Sequence, residues 1–146
     1  MAIPFTVRFS NTIPFSFILS SYADNAKASE IPITISVTAA DFSRFQITDL
    51  CSLLSNALDN AIRACLQIPY TEGRYIHLKV YEKNEQLCIN LANSYEEPPV
   101  FENNIPISQR SGHGYGVQSI ISVVDKYQGI YGFFAENGEF RFQASL

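Results

Sequence analysis

One amphipathic stretch, Asp49 to Leu66, constrains the fold of this chain more than any other feature. At roughly 100° per residue, its apolar side chains fall on one broad face. The sequence therefore predicts one long helix that buries this face against a core. The apolar face comprises Leu54, Ala57, Leu58, Ala61, Ile62 and Cys65.

The opposite face of this helix carries Asn56, Asp59, Asn60 and Arg63. Solvated helix faces usually carry Lys and Glu, because Asn and Asp are mediocre helix formers. One interpretation is an exposed polar stripe. The other is a ligand site, in which the amide oxygens of Asn56 and Asn60 coordinate a hard cation such as Mg²⁺ and Arg63 contacts phosphate. The helix alone does not separate the two.

The composition indicates one globular domain. The 146 residues, 47% of them apolar, suffice for a sizeable core. The net charge is −4 and the basic residues are scattered, so we expect neither nucleic acid nor direct membrane contact.

The cysteines and the hydropathy indicate a cytoplasmic setting. Three cysteines without a CxxC spacing support neither a disulfide framework nor a zinc site. No run approaches the roughly 20 apolar residues of a membrane span, and the first ten residues lack the pattern of a signal peptide. We therefore expect the chain as given to be soluble and cytoplasmic.

The remaining chain alternates between helical and strand patterns, and the closing hairpin turns at an Asn-Gly pair. This order predicts an α+β two-layer sandwich with an antiparallel or mixed sheet and helices on one face. The predicted elements are an edge strand over 2–10, a helix over 14–29, a strand over 31–37, a hairpin of 74–82 with 86–93, a helix after Gly116, and a hairpin closed by Asn137-Gly138.

The segment from Ser94 to Gly112 has three prolines and no sustained period, which predicts a loop of nearly twenty residues. Loops of that length in compact domains are usually functional lids or disordered segments. The next residues, GHGYG, lead into the helix after Gly116. Glycines let a backbone approach a ligand closely, and a helix N-terminus favours an anion, so this turn is a candidate phosphate site.

Taken in order, the asparagine-bearing helix, the hairpin, the long loop and the GHGYG turn resemble the ATP-binding domain of the GHKL, or Bergerat-fold, family. The stretch DLCSLLSNALDNAIRAC is most similar to the asparagine box of quorum-sensing and LytS-type sensor histidine kinases. The resemblance covers residues 11–146, leaving 1–10 as an N-terminal extension or edge strand. It implies a two-layer α/β sandwich whose mixed sheet is covered on one face by three helices.

The resemblance also implies site residues. Asn60 matches the Mg²⁺-coordinating asparagine, and Asn56 takes the place where gyrase-like relatives keep a glutamate base. Since an amide cannot take a proton from water, phosphoryl transfer is expected rather than efficient hydrolysis. Arg63 matches a phosphate-contacting position, and residues 94–111 match an ATP lid that carries Arg110. The second glycine box implies nucleotide contacts from Gly112, His113, Gly114 and Gly116.

The chain departs from the family pattern at the first glycine box. Asn93 takes the position of the aspartate that reads the adenine amino group, and both following glycines are missing. A neutral amide oxygen accepts a weaker hydrogen bond than a carboxylate, which implies weak nucleotide affinity.

The activity implied is transfer of the γ-phosphate of MgATP to a histidine on a separate dimerisation domain, with a response regulator as the indirect partner. His77 lies in a predicted strand and His113 in the glycine box, so neither is a credible acceptor. Alone, the chain is therefore expected to be inactive, as the cytoplasmic part of a membrane-bound sensor. The alternatives are a non-catalytic partner-binding module with a degenerate site and an anti-sigma-type serine kinase.

Overall fold

The computed structural model describes residues 5–7, 13–38, 41–107 and 115–146. Within these ranges the helices and strands follow the predicted order, with one short hairpin added. They are β1 (Phe5–Val7), α1 (Ile13–Ala28), β2 (Ile33–Val37), α2 (Ile47–Leu66), β3 (Ile76–Lys83), β4 (Gln86–Ser94), β5 (Val100–Glu102), β6 (Ile105–Ile107), α3 (Tyr115–Lys126), β7 (Ile130–Glu136) and β8 (Glu139–Ser145), with a 3₁₀ turn at Thr71–Gly73.

The main sheet has six strands in the order β1-β2-β3-β4-β8-β7. The β1–β2 and β2–β3 pairs are parallel and the others are antiparallel, which confirms the predicted mixed sheet. Helix α1 contacts β2, α2 contacts β4 and α3 contacts β7. The apolar side chains of the helices and strands form one buried cluster. The α+β two-layer sandwich is therefore confirmed.

The structure extends α2 to Ile47, two residues before the predicted start. Its buried face is the predicted one with Leu50 and Leu53 added, and Ile62 is half-buried. A helix with one apolar face is stabilised mainly by packing that face against the core rather than by the helix propensity of its residues. The opposite face is left free to form a wall of the site described below.

The N-terminus of α2 is capped by the end of α3. The Gln46 N–H donates to the Tyr127 hydroxyl oxygen at 3.0 Å, and the Tyr127 hydroxyl donates to Asp49 Oδ2 at 2.5 Å. Lys126 Nζ lies 2.8 Å from the same carboxylate oxygen. These bonds from Lys126 and Tyr127 lower the pKa of Asp49. The two helices that flank the site are thus tied at one end.

Two hairpins of the main sheet close through left-handed residue pairs, and the pair Asn137-Gly138 is the one predicted from the sequence. Asn84 and Glu85 join β3 to β4 with φ of 53° and 65°, and Asn137 and Gly138 join β7 to β8 with φ of 52° and 78°. Positive φ at both positions is characteristic of the type I′ turn, whose twist matches that of the flanking strands.

The prediction of an irregular loop from Ser94 to Gly112 is wrong for its central part. Strands β5 and β6 pair there as a separate hairpin, closed by Asn103 and Asn104 with φ of 53° and 63°. Three-residue strands are too short to show a period of two, which explains why the pattern did not reveal them. Residues 108–114 lie outside the described part of the chain.

The open face of the sheet carries no predicted site residue among those the structure describes. The exposed ring of His77 stacks on Tyr75 at 5.1 Å between centroids, and its Nδ1 lies 2.6 Å from Thr34 Oγ1. The sequence assigned His77 no role, and these contacts are those of a surface strand residue. In the described ranges, none of the helices has the length and apolar character to cross a membrane.

Candidate functional site

A cavity of about 570 Å³ lies between α2, the start of α3, the ends of the central strands and the β5–β6 hairpin. The part of the wall that α2 contributes is mostly polar, and we call it the polar end, whereas the rest of the wall is mostly apolar. The lining residues are Asn56, Ala57, Asp59, Asn60, Arg63, Ala64, Gln67, Leu91, Asn93, Tyr95, Glu97, Pro98, Pro99, Val100, Pro106, Ile107, Tyr115, Gly116, Val117, Ile120, Phe133, Phe140 and Phe142.

The polar end brings Asn56, Asn60 and Gly116 together, three residues that the sequence analysis placed among the candidate site residues. Asn56 Nδ2 donates to the Ser52 carbonyl at 2.9 Å, which holds the amide in one orientation. A Cβ added at Gly116 would lie 3.4 Å from Asn56 Oδ1 and 3.7 Å from Asn60 Nδ2. The missing side chain at Gly116 therefore leaves the space beside both amides open.

Arg63 lies one turn beyond Asn60 on the same face of α2. Its Nη1 is 3.4 Å from Asn60 Oδ1, a long hydrogen bond, and its side chain is exposed. An exposed guanidinium that is held this loosely can turn toward an anion in the cavity. It supplies the positive charge that a phosphate group would need at this end.

Asn93 lies in the wall of the same cavity, where β4 contributes to it. It continues the core-facing series Leu87, Ile89 and Leu91 along β4, and it is only 2% exposed. Asn93 Nδ2 donates to the Ser94 carbonyl at 2.9 Å. This bond leaves Oδ1 as the acceptor, and no described residue donates a hydrogen bond to it. A buried amide oxygen at a cavity wall is suited to accept one from a ligand.

A second polar layer lies behind Asn93. The Ser94 hydroxyl accepts a hydrogen bond from the Tyr75 N–H at 2.9 Å and lies 3.6 Å from Cys65 Sγ. The Cys65 thiol also reaches the Tyr75 carbonyl at 3.4 Å, and burial raises its pKa. Cys65 is therefore a neutral thiol that packs behind the site, and none of the three described cysteines forms a disulfide.

Four of the predicted nucleotide contacts, Arg110, Gly112, His113 and Gly114, lie outside the described residues. Their roles stay predictions. Of the second glycine box, the structure describes Tyr115 and Gly116, which form the beginning of α3 and line the cavity.

The aromatic wall of the cavity was not among the features predicted from the sequence. Phe133 pairs across the strands with Phe142, and their ring centroids are 5.3 Å apart, while Phe140 lies 6.2 Å from Phe133. Phe101 of β5 stacks on Phe140 at 6.4 Å and so anchors the small hairpin to the sheet. The alternation of EFRFQ in β8 was the available signal, since it places Phe140 and Phe142 on one face.

The oxygen atoms at the polar end suit a hard cation that is coordinated jointly by the protein and by a phosphate group. Amide and carboxylate oxygens from Asn56, Asp59 and Asn60 line the polar end, and no thiol or imidazole of a described residue does. No group of three or more His, Cys, Asp or Glu in the described ranges could hold a metal alone. Mg²⁺ is usually bound through one or two protein ligands, water and substrate phosphates, which fits this end of the cavity.

The fold and this cavity define a class of protein. Residues 45–146 match the family model described as the GHKL domain. That match covers more than half of the chain, so the chain belongs to the GHKL family of ATPase domains, as the sequence resemblance indicated.

Solved structures of histidine kinases share the fold. The nucleotide-free catalytic domain of histidine kinase ThkA superposes with a TM-score of 0.70 at 15% identity, over 94% of this chain and 92% of that one. The histidine kinase domain of the blue-light activated kinase EL346 from Erythrobacter litoralis gives 0.68 at 10% identity, over 97% and 64%. The Acinetobacter baumannii histidine kinase AdeS gives 0.63 at 11%, over 90% and 61%. At these identities the likeness shows the fold alone. Comparison with curated protein sequences gives no significant match.

Proposed function

We propose that the chain is the ATP-binding catalytic domain of a two-component sensor histidine kinase. The observation that carries the proposal is the lining of the cavity, which combines the buried amide of Asn93 with Asn56, Asn60 and Arg63 of α2. The rest of the wall is mostly apolar and aromatic, which suits a planar base. A purine with a triphosphate has the same distribution of polar and apolar parts.

The orientation of the base follows from the hydrogen bond at Asn93. Since Nδ2 is engaged by the Ser94 carbonyl, Oδ1 is the atom that meets the ligand. An acceptor at this position favours the amino group of adenine over the carbonyl of guanine. The triphosphate then extends toward α2 and the start of α3, where Gly116 leaves room for it and the helix N-terminus favours an anion.

The chain's residues act mainly by positioning and charge neutralisation, as is general for phosphoryl transfer. Asn60 would hold Mg²⁺ through its amide oxygen, and Mg²⁺ when bound neutralises charge on the phosphates. Arg63 binds phosphate, with Arg110 and the glycine box as further predicted contacts. Asn56 has no basic group that could deprotonate a water molecule, so transfer to an acceptor is favoured over hydrolysis.

The acceptor in this proposal is a histidine on a separate dimerisation domain of the same sensor, from which a response regulator would receive the phosphate. His77 is stacked on the open face of the sheet, away from the cavity, and is unsuited to the role. The chain alone would therefore bind MgATP without phosphorylating itself, on the cytoplasmic side of a membrane-bound sensor.

Calorimetric titration with a non-hydrolysable ATP analogue and Mg²⁺ tests the nucleotide site. Saturable, Mg²⁺-dependent binding is expected, and its absence would favour a non-catalytic module, the alternative suggested by the neutral Asn93. Phosphotransfer with labelled ATP to the dimerisation domain then tests the acceptor. An acid-labile, alkali-stable product is expected for phosphohistidine, whereas an acid-stable product would indicate a serine kinase instead.

A further inference from the structure

Asp59 is a carboxylate of the cavity that had no predicted role. It lies on the polar face of α2, beside Asn60 and one turn from Asn56, and it lines the polar end of the cavity. Its Oδ1 accepts a hydrogen bond of 2.9 Å from the Tyr22 hydroxyl of α1, and that hydroxyl lies 3.3 Å from the Ser55 carbonyl.

This hydrogen bond restricts a side chain that would otherwise be free. An exposed aspartate on a helix normally samples several rotamers, and ordering it costs conformational entropy. Tyr22 reaches it from another helix, and no described residue donates a hydrogen bond to the second carboxylate oxygen. Asn56 is arranged in the same way, because its Nδ2 is held by Ser52 while Oδ1 stays available. Asp59 and Asn56 thus each have one oxygen to which no described residue donates a hydrogen bond, and both side chains lie beside Asn60 on α2.

The charge of Asp59 is unfavourable for a bare nucleotide. Of the described charged residues that line the cavity, Arg63 is positive, whereas Asp59 and Glu97 are negative. A fixed carboxylate near the triphosphate repels it unless a cation lies between them. Mg²⁺ keeps several of its water molecules when it binds, and such water donates hydrogen bonds to carboxylates.

We propose that Asp59 is the acidic group of the metal site: its carboxylate accepts hydrogen bonds from water bound to the divalent cation of MgATP, and Tyr22 positions it. This inference rests on the proposed function, since it requires MgATP in the cavity. Asp59 strengthens binding of the metal complex and weakens binding of the metal-free nucleotide.

The competing explanation is that Tyr22 and Asp59 only tie α1 to α2. The variant Asp59→Asn separates the two, because an asparagine has nearly the same shape and its Oδ1 still accepts the hydrogen bond from Tyr22. An interhelical tie survives this substitution, whereas the charge that faces the metal does not. Asp125→Asn is the matched control, because Asp125 is exposed on α3 and does not line the cavity.

The experiment is calorimetric titration of the chain with a non-hydrolysable ATP analogue at constant ionic strength, once with Mg²⁺ and once with a chelator. For Asp59→Asn we expect the affinity with Mg²⁺ to fall about fivefold, on the scale of a charge-assisted hydrogen bond. Without metal we expect the affinity to rise about twofold, because a repulsive charge is removed. Tyr22→Phe should shift both affinities in the same directions by less, and Asp125→Asn should shift neither.

The decisive result is that Asp59→Asn changes the affinity in opposite directions with and without Mg²⁺. Equal shifts with and without metal, or no shift in either, would overturn the role of Asp59 while leaving Mg²⁺-dependent binding by the wild-type chain intact. Failure of the wild-type chain to bind the analogue at all would instead overturn the proposed function. Urea unfolding of each variant without nucleotide shows that the fold is retained, which keeps the two failures distinct.

Discussion

Replacing Asn93 with Asp tests its proposed contact with adenine through stability as well as binding. Asn93 is 2% exposed and its Nδ2 donates to the Ser94 carbonyl at 2.9 Å. An ionised carboxylate cannot donate, so the substitution leaves that carbonyl facing another acceptor. A buried polar group left unpaired costs about 1–3 kcal/mol, so we expect Asn93→Asp to lower the free energy of unfolding by about 2 kcal/mol near neutral pH.

The pH dependence of this loss has a definite sign. Burial raises the folded-state pKa of the introduced carboxyl above the unfolded value of about 3.9. The protonated form donates to the Ser94 carbonyl as the amide did, so the loss should be small below that unfolded value and should grow as the pH rises through it. Urea unfolding of both proteins at about pH 4 and about pH 7 measures the difference.

The same substitution should strengthen ATP binding. A charge-assisted bond to the adenine amino group is worth about 1 kcal/mol more than a neutral one, which is about fivefold in affinity. The gain for GTP should be smaller, because guanine presents a carbonyl at that position. If the variant keeps both the wild-type stability at neutral pH and the wild-type preference for ATP over GTP, the amide of Asn93 has no part in the site.

Three further predictions concern the metal, a tight contact and an ion pair. Asn60→Ala should abolish Mg²⁺-dependent nucleotide binding without loss of the fold, since the side chain lies on the face of α2 opposite the core; calorimetry with an unchanged affinity would remove Asn60 from the site. Gly129→Ala should lower the free energy of unfolding by about 2 kcal/mol, because the added Cβ would lie 2.4 Å from the Ser145 carbonyl oxygen. Its control is Gly73→Ala, where the Cβ would meet only an ordinary contact at 3.4 Å, and equal unfolding midpoints of the two variants would contradict the reasoning. Asp49→Asn should destabilise the protein at neutral pH. Because the bonds from Lys126 and Tyr127 lower the pKa of Asp49, the loss of stability should shrink as the pH falls below about 4. Thermal unfolding of both proteins measures this loss, and a loss that does not depend on pH would argue against the ion pair.

The parts of the structure that could be predicted from the sequence are those with local causes. The buried face of α2 follows from the 3.6-residue period, and the hairpin at Asn137-Gly138 follows from a turn that only certain residues adopt readily. The closeness of Asn56 and Asn60 follows from their spacing of four residues on one helix. Each of these depends on neighbours within a few positions, and the sequence shows such neighbours directly.

The hairpin inside the predicted loop and the aromatic wall could not be predicted in the same way. Strands β5 and β6 are held by three paired positions and by the stacking of Phe101 on Phe140, which is 39 positions further along the chain. The wall itself depends on the register that sets Phe133 opposite Phe142. Register is a property of two strands together, so the pattern of either strand alone does not contain it.

The sequence by itself determined which polar side chains share one face of α2, the order of the helices and strands, and the likeness of its motifs to the GHKL family. Only the tertiary structure decided that the Asn93 amide is oriented by Ser94 and that Tyr22 of α1 holds Asp59. Orientation of a polar side chain depends on the partner that packing brings to it. Tyr22 and Asp59 are 37 positions apart, and they meet because apolar burial packs α1 and α2 against the same core.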